Sequence, residues 1–315
     1  MDFLTLCRTP ALAVQVTIQP VDRLKVDAAI LFSDILVLPE AMGMELVFME
    51  GRGGPRFPHP LRSRSDIEKL TVPDPSSSLS YVLDALRMTR RELNGRVPLI
   101  GFAGAPWTLA AYMLEGRGTA DFRHAKRMLY ENPLDLHILL DKISRSTALY
   151  LRAAVEAGAQ VIQLFDTWGG ILGRDEFHEF SLRYIRQIIE ALEDLAVPVI
   201  VYCRDAGRSL EDLAESGAHG VGLDWRVDLA AARLKVGAAV ALQGNLDPLL
   251  LLARPERIDR AVQKLLLEFG PAAGHIFNLG HGILPDTPVE NAAACVEAVR
   301  KHSAAIRRQP TPRWT

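Results

Sequence analysis

Seven short apolar runs punctuate the chain, at Ala28–Phe32, Pro98–Phe102, Gln160–Phe165, Pro198–Cys203, Gly220–Leu223, Val240–Gln243 and His275–Leu279. Most are continuous, with no polar alternation, as expected of strands buried on both faces of a parallel sheet. Helical periodicity fills the intervals at Leu134–Ala157, Asp175–Leu195, Arg208–Ala214, Asp228–Val236, Pro255–Phe269 and Pro288–Ala305. Gly158 marks a helix stop after "EAGA". This repetition predicts a parallel α/β fold. Between Asp34 and Pro98 lies extra material, whose "MEGRGGPRFPHP" segment predicts a hairpin or lid.

The strand ends carry polar groups: Asp34, "AGAPW", Asp166-Thr167-Trp168, Arg204-Asp205, Asp224-Trp225, Asn245 and His281. In a (β/α)8 barrel such positions build the active site, so these groups should converge on one cavity. Asp228, Asp247 and Arg204 are also explained as residues that start a loop or cap a helix. Asp34 is harder to explain so, because apolar "ILVL" follows it at once, and a carboxylate buried without a partner costs several kcal/mol by rough estimate. We therefore read Asp34 as functional. Trp107 and Trp168 read as wall and packing residues, and Pro106 as the entry to a helix. The scattered His59, His124, His137, His178 and His219 have irregular spacing and are not read as ligands.

Composition narrows the class. With 315 residues, 49% hydrophobic and 23% charged, the chain has the make-up of a globular protein. A net charge of −2 gives no general pull toward nucleic acid or an anionic membrane. Three dispersed cysteines, Cys7, Cys203 and Cys295, fit reduced thiols and a cytoplasmic setting. No run reaches the ~18 apolar residues of a membrane span. A dinucleotide fingerprint and a Walker loop are both absent.

The ordered blocks "ILFSDIL", "GFAGAPWTLAAYMLEG", "FDTWGG", "GLDW", "LQGNLDP" and "FNLGHGI" resemble the uroporphyrinogen decarboxylase family. The resemblance spans Asp2 to about Ile306. It implies a (β/α)8 TIM barrel as a single domain over 1–306, with a flexible tail at 307–315. It also implies cofactor-free and metal-free decarboxylation of the four acetate side chains of uroporphyrinogen III to coproporphyrinogen III, in heme biosynthesis. On the matching positions, Asp34 accepts the pyrrole NH groups and stabilises the transition state. Tyr112, Thr167 and His281 bind substrate, and Phe102 and Phe165 flank the ring. The family also implies a homodimer.

One signature of that family, Arg-Gln-Ala-Gly-Arg after the first barrel strand, is not in this sequence. Seven strands where a barrel has eight point the same way. The expectation is a barrel lacking its first strand and the Arg-rich loop, with impaired folding or turnover. Two other readings stand beside the decarboxylase. One is a degenerate paralogue that binds tetrapyrroles without turnover. The other is a zinc- and cobalamin-dependent methyltransferase relative. The second is weakened by Val201, which stands where the His-x-Cys pair ending in Cys203 would need its histidine, and by His281 at the last strand.

Overall fold

The computed structural model describes residues 2–49 and 54–308. All seven apolar runs are strands of one parallel sheet. In chain order with the hairpin, they are β1 (Ala29–Ile30), β2 (Val47–Met49), β3 (Gly54–Arg56), β4 (Leu99–Gly104), β5 (Val161–Asp166), β6 (Val199–Cys203), β7 (Gly220–Gly222), β8 (Ala241–Leu246) and β9 (His275–Leu279). The sheet order is β1-β4-β5-β6-β7-β8-β9, so each strand lies beside the next one in sequence. Helices intervene, and the sheet curls into a TIM-barrel-like half-barrel. β1 and β9 are its two edges. β2 and β3 pair antiparallel, Val47 opposite Arg56, which bears out the hairpin. Its tip, residues 50–53, lies outside the described residues, as does the tail from 309.

Strand parity sorts the side chains. The register Phe102–Gln163–Ile200–Gly220 and Phe165–Tyr202–Gly222–Gln243 puts these residues on the concave face. The alternate residues Leu99, Ile162, Leu164, Val201 and Leu242 face the helix layer and are buried. That layer is the core. Each such leucine contributes roughly 2 kcal/mol by leaving water. The helix Pro133–Glu156 answers with Leu136, Leu140, Ile143, Thr147 and Leu151, one stripe at helical spacing. Gly158 ends the helical turn at φ +116°, as the sequence predicts. Inside the half-barrel Gln163 and Gln243 pair through their amides at 2.9 Å. The concave-face isoleucines of the edge strands, Ile30 and Ile276, are 40% and 41% exposed.

Several helical stretches differ from the expected pattern, Pro10–Leu24 and Arg123–Glu131 among them. Ser80–Leu93 is a further helix in the interval read as extra material. Asp175–Leu195 is broken into an α-turn at Arg174–Phe177, a π-turn at His178–Leu182 and an α-helix at Arg183–Ala191. Pro106 occupies the first turn of Pro106–Glu115, and Asp228 and Asp247 cap their helices through Ala231 N and Leu249 N.

Candidate active site

Asp34 follows β1 and is partly exposed. Its Oδ1 accepts the Leu36 amide at 2.7 Å, and Oδ2 has no partner among the described residues. Desolvation is the larger influence on this carboxyl and pushes its pKa above the usual carboxylate range, against the Leu36 amide. So the residue does hold a turn, as a plain loop starter would. The open oxygen is what a loop starter does not need.

Phe102 and Phe165 meet edge-on, with centroids 5.7 Å apart, on the concave face. Phe165 continues to Tyr202 at 6.0 Å, and Tyr202 stacks on His281, 6.0 Å away and only 13° from parallel. The aromatic chain thus runs from β4 to the loop after β9. The Tyr202 hydroxyl donates to Gly280 O at 2.8 Å and lies 3.3 Å from His281 Nδ1. With its one proton committed to the carbonyl, that hydroxyl favours His281 as the Nδ1–H tautomer, which leaves Nε2 as acceptor. Burial lowers the His281 pKa, and the nearby Arg204 lowers it further against the opposing charge of Asp224, so the surroundings favour the neutral ring.

Tyr112, on the helix Pro106–Glu115, packs edge-on against Trp168 at 6.3 Å and against Phe122 at 6.4 Å. Burial raises its hydroxyl pKa. The Trp168 ring N–H opposes this, although it makes no hydrogen bond of normal geometry, and the Asp34 charge adds to the rise. Thr167 stands next to Trp168, half-buried, with no hydrogen bond from its hydroxyl among the described residues. Phe102, Phe165 and His281 are therefore joined through Tyr202, and Tyr112 is joined to the Thr167 loop through Trp168. Asp34 is linked to Tyr112 only by its field.

The strand-end groups do not all face the same way. Asp166 is one residue out of phase with Phe165 and points into the helix layer. It is fully buried, and its oxygens accept Thr108 Oγ1 and Ser181 Oγ, each at 2.6 Å. Thr108 Oγ1 also accepts the Trp168 amide at 3.1 Å, and Trp107 Nε1 donates to Trp168 O at 2.9 Å. Gly169 completes the turn, because any Cβ there would collide with Asp166 Oδ2 and Cys203 Sγ. Asp224 is likewise buried, bound to the Arg226 amide at 2.8 Å and to the Asp205 amide. Asn245 donates to Asp224 O and Val227 O. All three strand-end groups hold loops, and Asp166 does so from the helix side of the sheet. Sequence reasoning did not single out Tyr202. The available signal was a tyrosine one residue before the end of an otherwise apolar strand.

The uroporphyrinogen decarboxylase (URO-D) family model matches residues 1–302. The chain belongs to that family. Curated uroporphyrinogen decarboxylases from Enterobacter sp. (strain 638) and Pseudomonas putida are each 52% identical over 307 residues, covering 96% of this chain and 86% of the relative. The one from Ectopseudomonas mendocina is 52% identical over 312 residues, covering 98% and 88%. Among solved structures, a methyltransferase from Methanosarcina mazei superposes with TM-score 0.80 at 22% identity, covering 93% of this chain and 86% of that one. A B12-independent methionine synthase from Shewanella superposes at 0.61 and 12% identity, covering 95% and 88%. Both share the fold. The methyltransferase reading gains nothing from Cys203, whose thiol is buried and pushed well above its ordinary pKa by desolvation and then by Asp166 and Asp224.

Proposed function

We propose that this protein decarboxylates the acetate side chains of uroporphyrinogen III to give coproporphyrinogen III and carbon dioxide, with Asp34 as the group on which the reaction turns. Family membership and 52% identity to curated enzymes of that activity support the reading. The observation that carries the role of Asp34 is a desolvated carboxylate with one anchored and one open oxygen at a strand end.

The chemistry follows from electron flow. A proton adds to a pyrrole α-carbon and leaves an iminium-like ring. The bond to the carboxylate breaks, its electron pair enters the ring, and carbon dioxide departs. The exocyclic methylene then takes a proton while the ring α-carbon loses one, so each acetate becomes a methyl with net uptake of one proton. Asp34 Oδ2 would accept the pyrrole N–H groups and stabilise the cationic ring, more strongly in an apolar cleft than in water. Phe102 and Phe165 would flank the macrocycle. Thr167 and Tyr112, a neutral phenol, would donate hydrogen bonds to substrate carboxylates. His281 would pair with another by taking up a proton on binding, since a carboxylate beside Nε2 opposes the effects that hold the ring neutral.

We further read the protein as a cytoplasmic homodimer. The exposed Leu249, Leu252 and Val289 support the reading as apolar side chains available to a partner, on segments that Asn291 ties together through Leu251 O and Ala253 O. The test of function is direct. Purified protein, incubated anaerobically with uroporphyrinogen III, should release carbon dioxide and yield coproporphyrinogen, read as the oxidised porphyrin after chromatography. Binding of uroporphyrin without any loss of carboxylates would favour the non-catalytic tetrapyrrole-binding reading instead.

A further inference from the structure

We propose that Arg204 forms a carboxylate-binding subsite at the rim of the cleft, taking one acidic side chain of the substrate beside His281. The proposal rests on the uroporphyrinogen reading above. Arg204 directly follows β6, two residues after the Tyr202 that stacks on His281. Its guanidinium carbon lies 5.9 Å from the Trp168 ring and 5.9 Å from the Trp225 ring. These rings come from the loops after β5 and β7, so aromatic side chains from the two neighbouring strands hold the cation in place.

What the cation lacks is an anion. Among the described residues no carboxylate pairs with Arg204, and its side chain donates no hydrogen bond. Two acids of the adjoining loops are already engaged. Asp205 pairs with Arg226, and Asp224 accepts the backbone amides of Asp205 and Arg226. Arg204 Nε is covered and has no partner, while the residue as a whole is half-exposed, so the accessible edge is the Nη1–Nη2 fork. That fork matches a carboxylate in two parallel hydrogen bonds. A cation placed only for packing would not need an unpaired fork at the rim of a cleft that receives a polycarboxylate.

Arg204→Gln and Arg204→Lys test this against the unsubstituted protein, using uroporphyrin binding by fluorescence and turnover of uroporphyrinogen III. The glutamine variant should bind uroporphyrin about tenfold more weakly, with KM raised by about the same factor and kcat within about threefold. It should also show a shallower dependence of binding on salt. Lysine should recover part of the affinity, since it keeps the charge and loses the fork. Unchanged binding in a glutamine variant of unchanged Tm overturns the proposal. So does an equal loss in both variants accompanied by a lowered Tm, which would mark a packing role. If the unsubstituted protein binds uroporphyrin but does not turn over uroporphyrinogen, the decarboxylase reading fails while the binding comparison still decides Arg204. If it binds no uroporphyrin, both fail.

Discussion

Asp34 and Asp166 are two carboxylates at the ends of strands in one sheet, and their surroundings are opposite. Desolvation raises the pKa of each. Asp166 is closed in, with a hydroxyl on each oxygen and no exposed surface. Asp34 has one backbone amide and an oxygen left open. A buried charge that is fully satisfied fixes structure, whereas a partly exposed one with an open oxygen can still receive a ligand's donors. The contrast sets a carboxylate committed to structure against the one proposed for function, with no reference to sequence blocks.

The sharpest way to break the comparison is at Asp34. Asp34→Asn keeps an acceptor for the Leu36 amide and removes the charge, so turnover should fall by about 100- to 1000-fold. Stability should hold or rise. The sign follows from linkage: a carboxyl whose folded pKa lies above its unfolded value binds more protons in the native state, so stability falls as pH rises through that window. Removing the ionisable group removes that loss. Urea melts at neutral pH alongside turnover of uroporphyrinogen III check both halves. A variant that loses stability together with activity would make Asp34 a second Asp166. In the unsubstituted enzyme, the acid limb of kcat/KM should lie above the ordinary carboxylate range and vanish in Asp34→Asn.

Asp166 should show the reverse. Asp166→Ala strands two buried hydroxyls and leaves a cavity, costing about 3 kcal/mol of folding free energy. Activity should fall through the shift of Thr167 and Trp168, so KM should rise more than kcat falls. Asp166→Asn, which can still bond both hydroxyls, should recover most of the stability. Denaturant melts of the two variants measure the difference. A silent Asp166→Ala would show that the loop is held by Gly169 and Trp107 instead.

Asp34 stands out in the sequence while the structural role of Asp166 does not, because the first is a matter of local pattern and the second of register. Continuous apolar runs mark a buried parallel strand wherever it lies, so all seven strands were found. Asp34 stood out because it interrupts such a run. Asp166 ends a run in the ordinary way, and whether it faces cleft or helices depends on register with β4 and β6, which one strand does not reveal. Tyr202 was hidden for the same reason. Ser181 was hidden by the π-turn: a continuous helical period across Asp175–Leu195 does not show that the backbone widens at His178–Leu182 to bring that serine within 2.6 Å of Asp166. Arg204 read as a loop starter because the two tryptophans that hold it are 36 residues and 21 residues away in sequence. Chain proximity carries charge patterns along one helix but not across neighbouring loops.

The smallest expected effect isolates that π-turn. Ser181→Ala deletes one of the two hydroxyls on Asp166 and leaves Thr108 in place, and should cost about 1 to 2 kcal/mol. Asp166 would then have one bare oxygen, as Asp34 does, but with no route for a ligand to reach it. Loss of a donor to the ionised form should raise its pKa further, so the penalty should shrink as pH falls toward that value and be largest at neutral pH. Thr108→Val should cost more than Ser181→Ala, because Thr108 also accepts the Trp168 amide and so ties the carboxylate to the site loop. Denaturant melts at acidic and neutral pH give the order. If Ser181→Ala proves the costlier of the two, the π-turn holds Asp166 more firmly than the helix Pro106–Glu115 does.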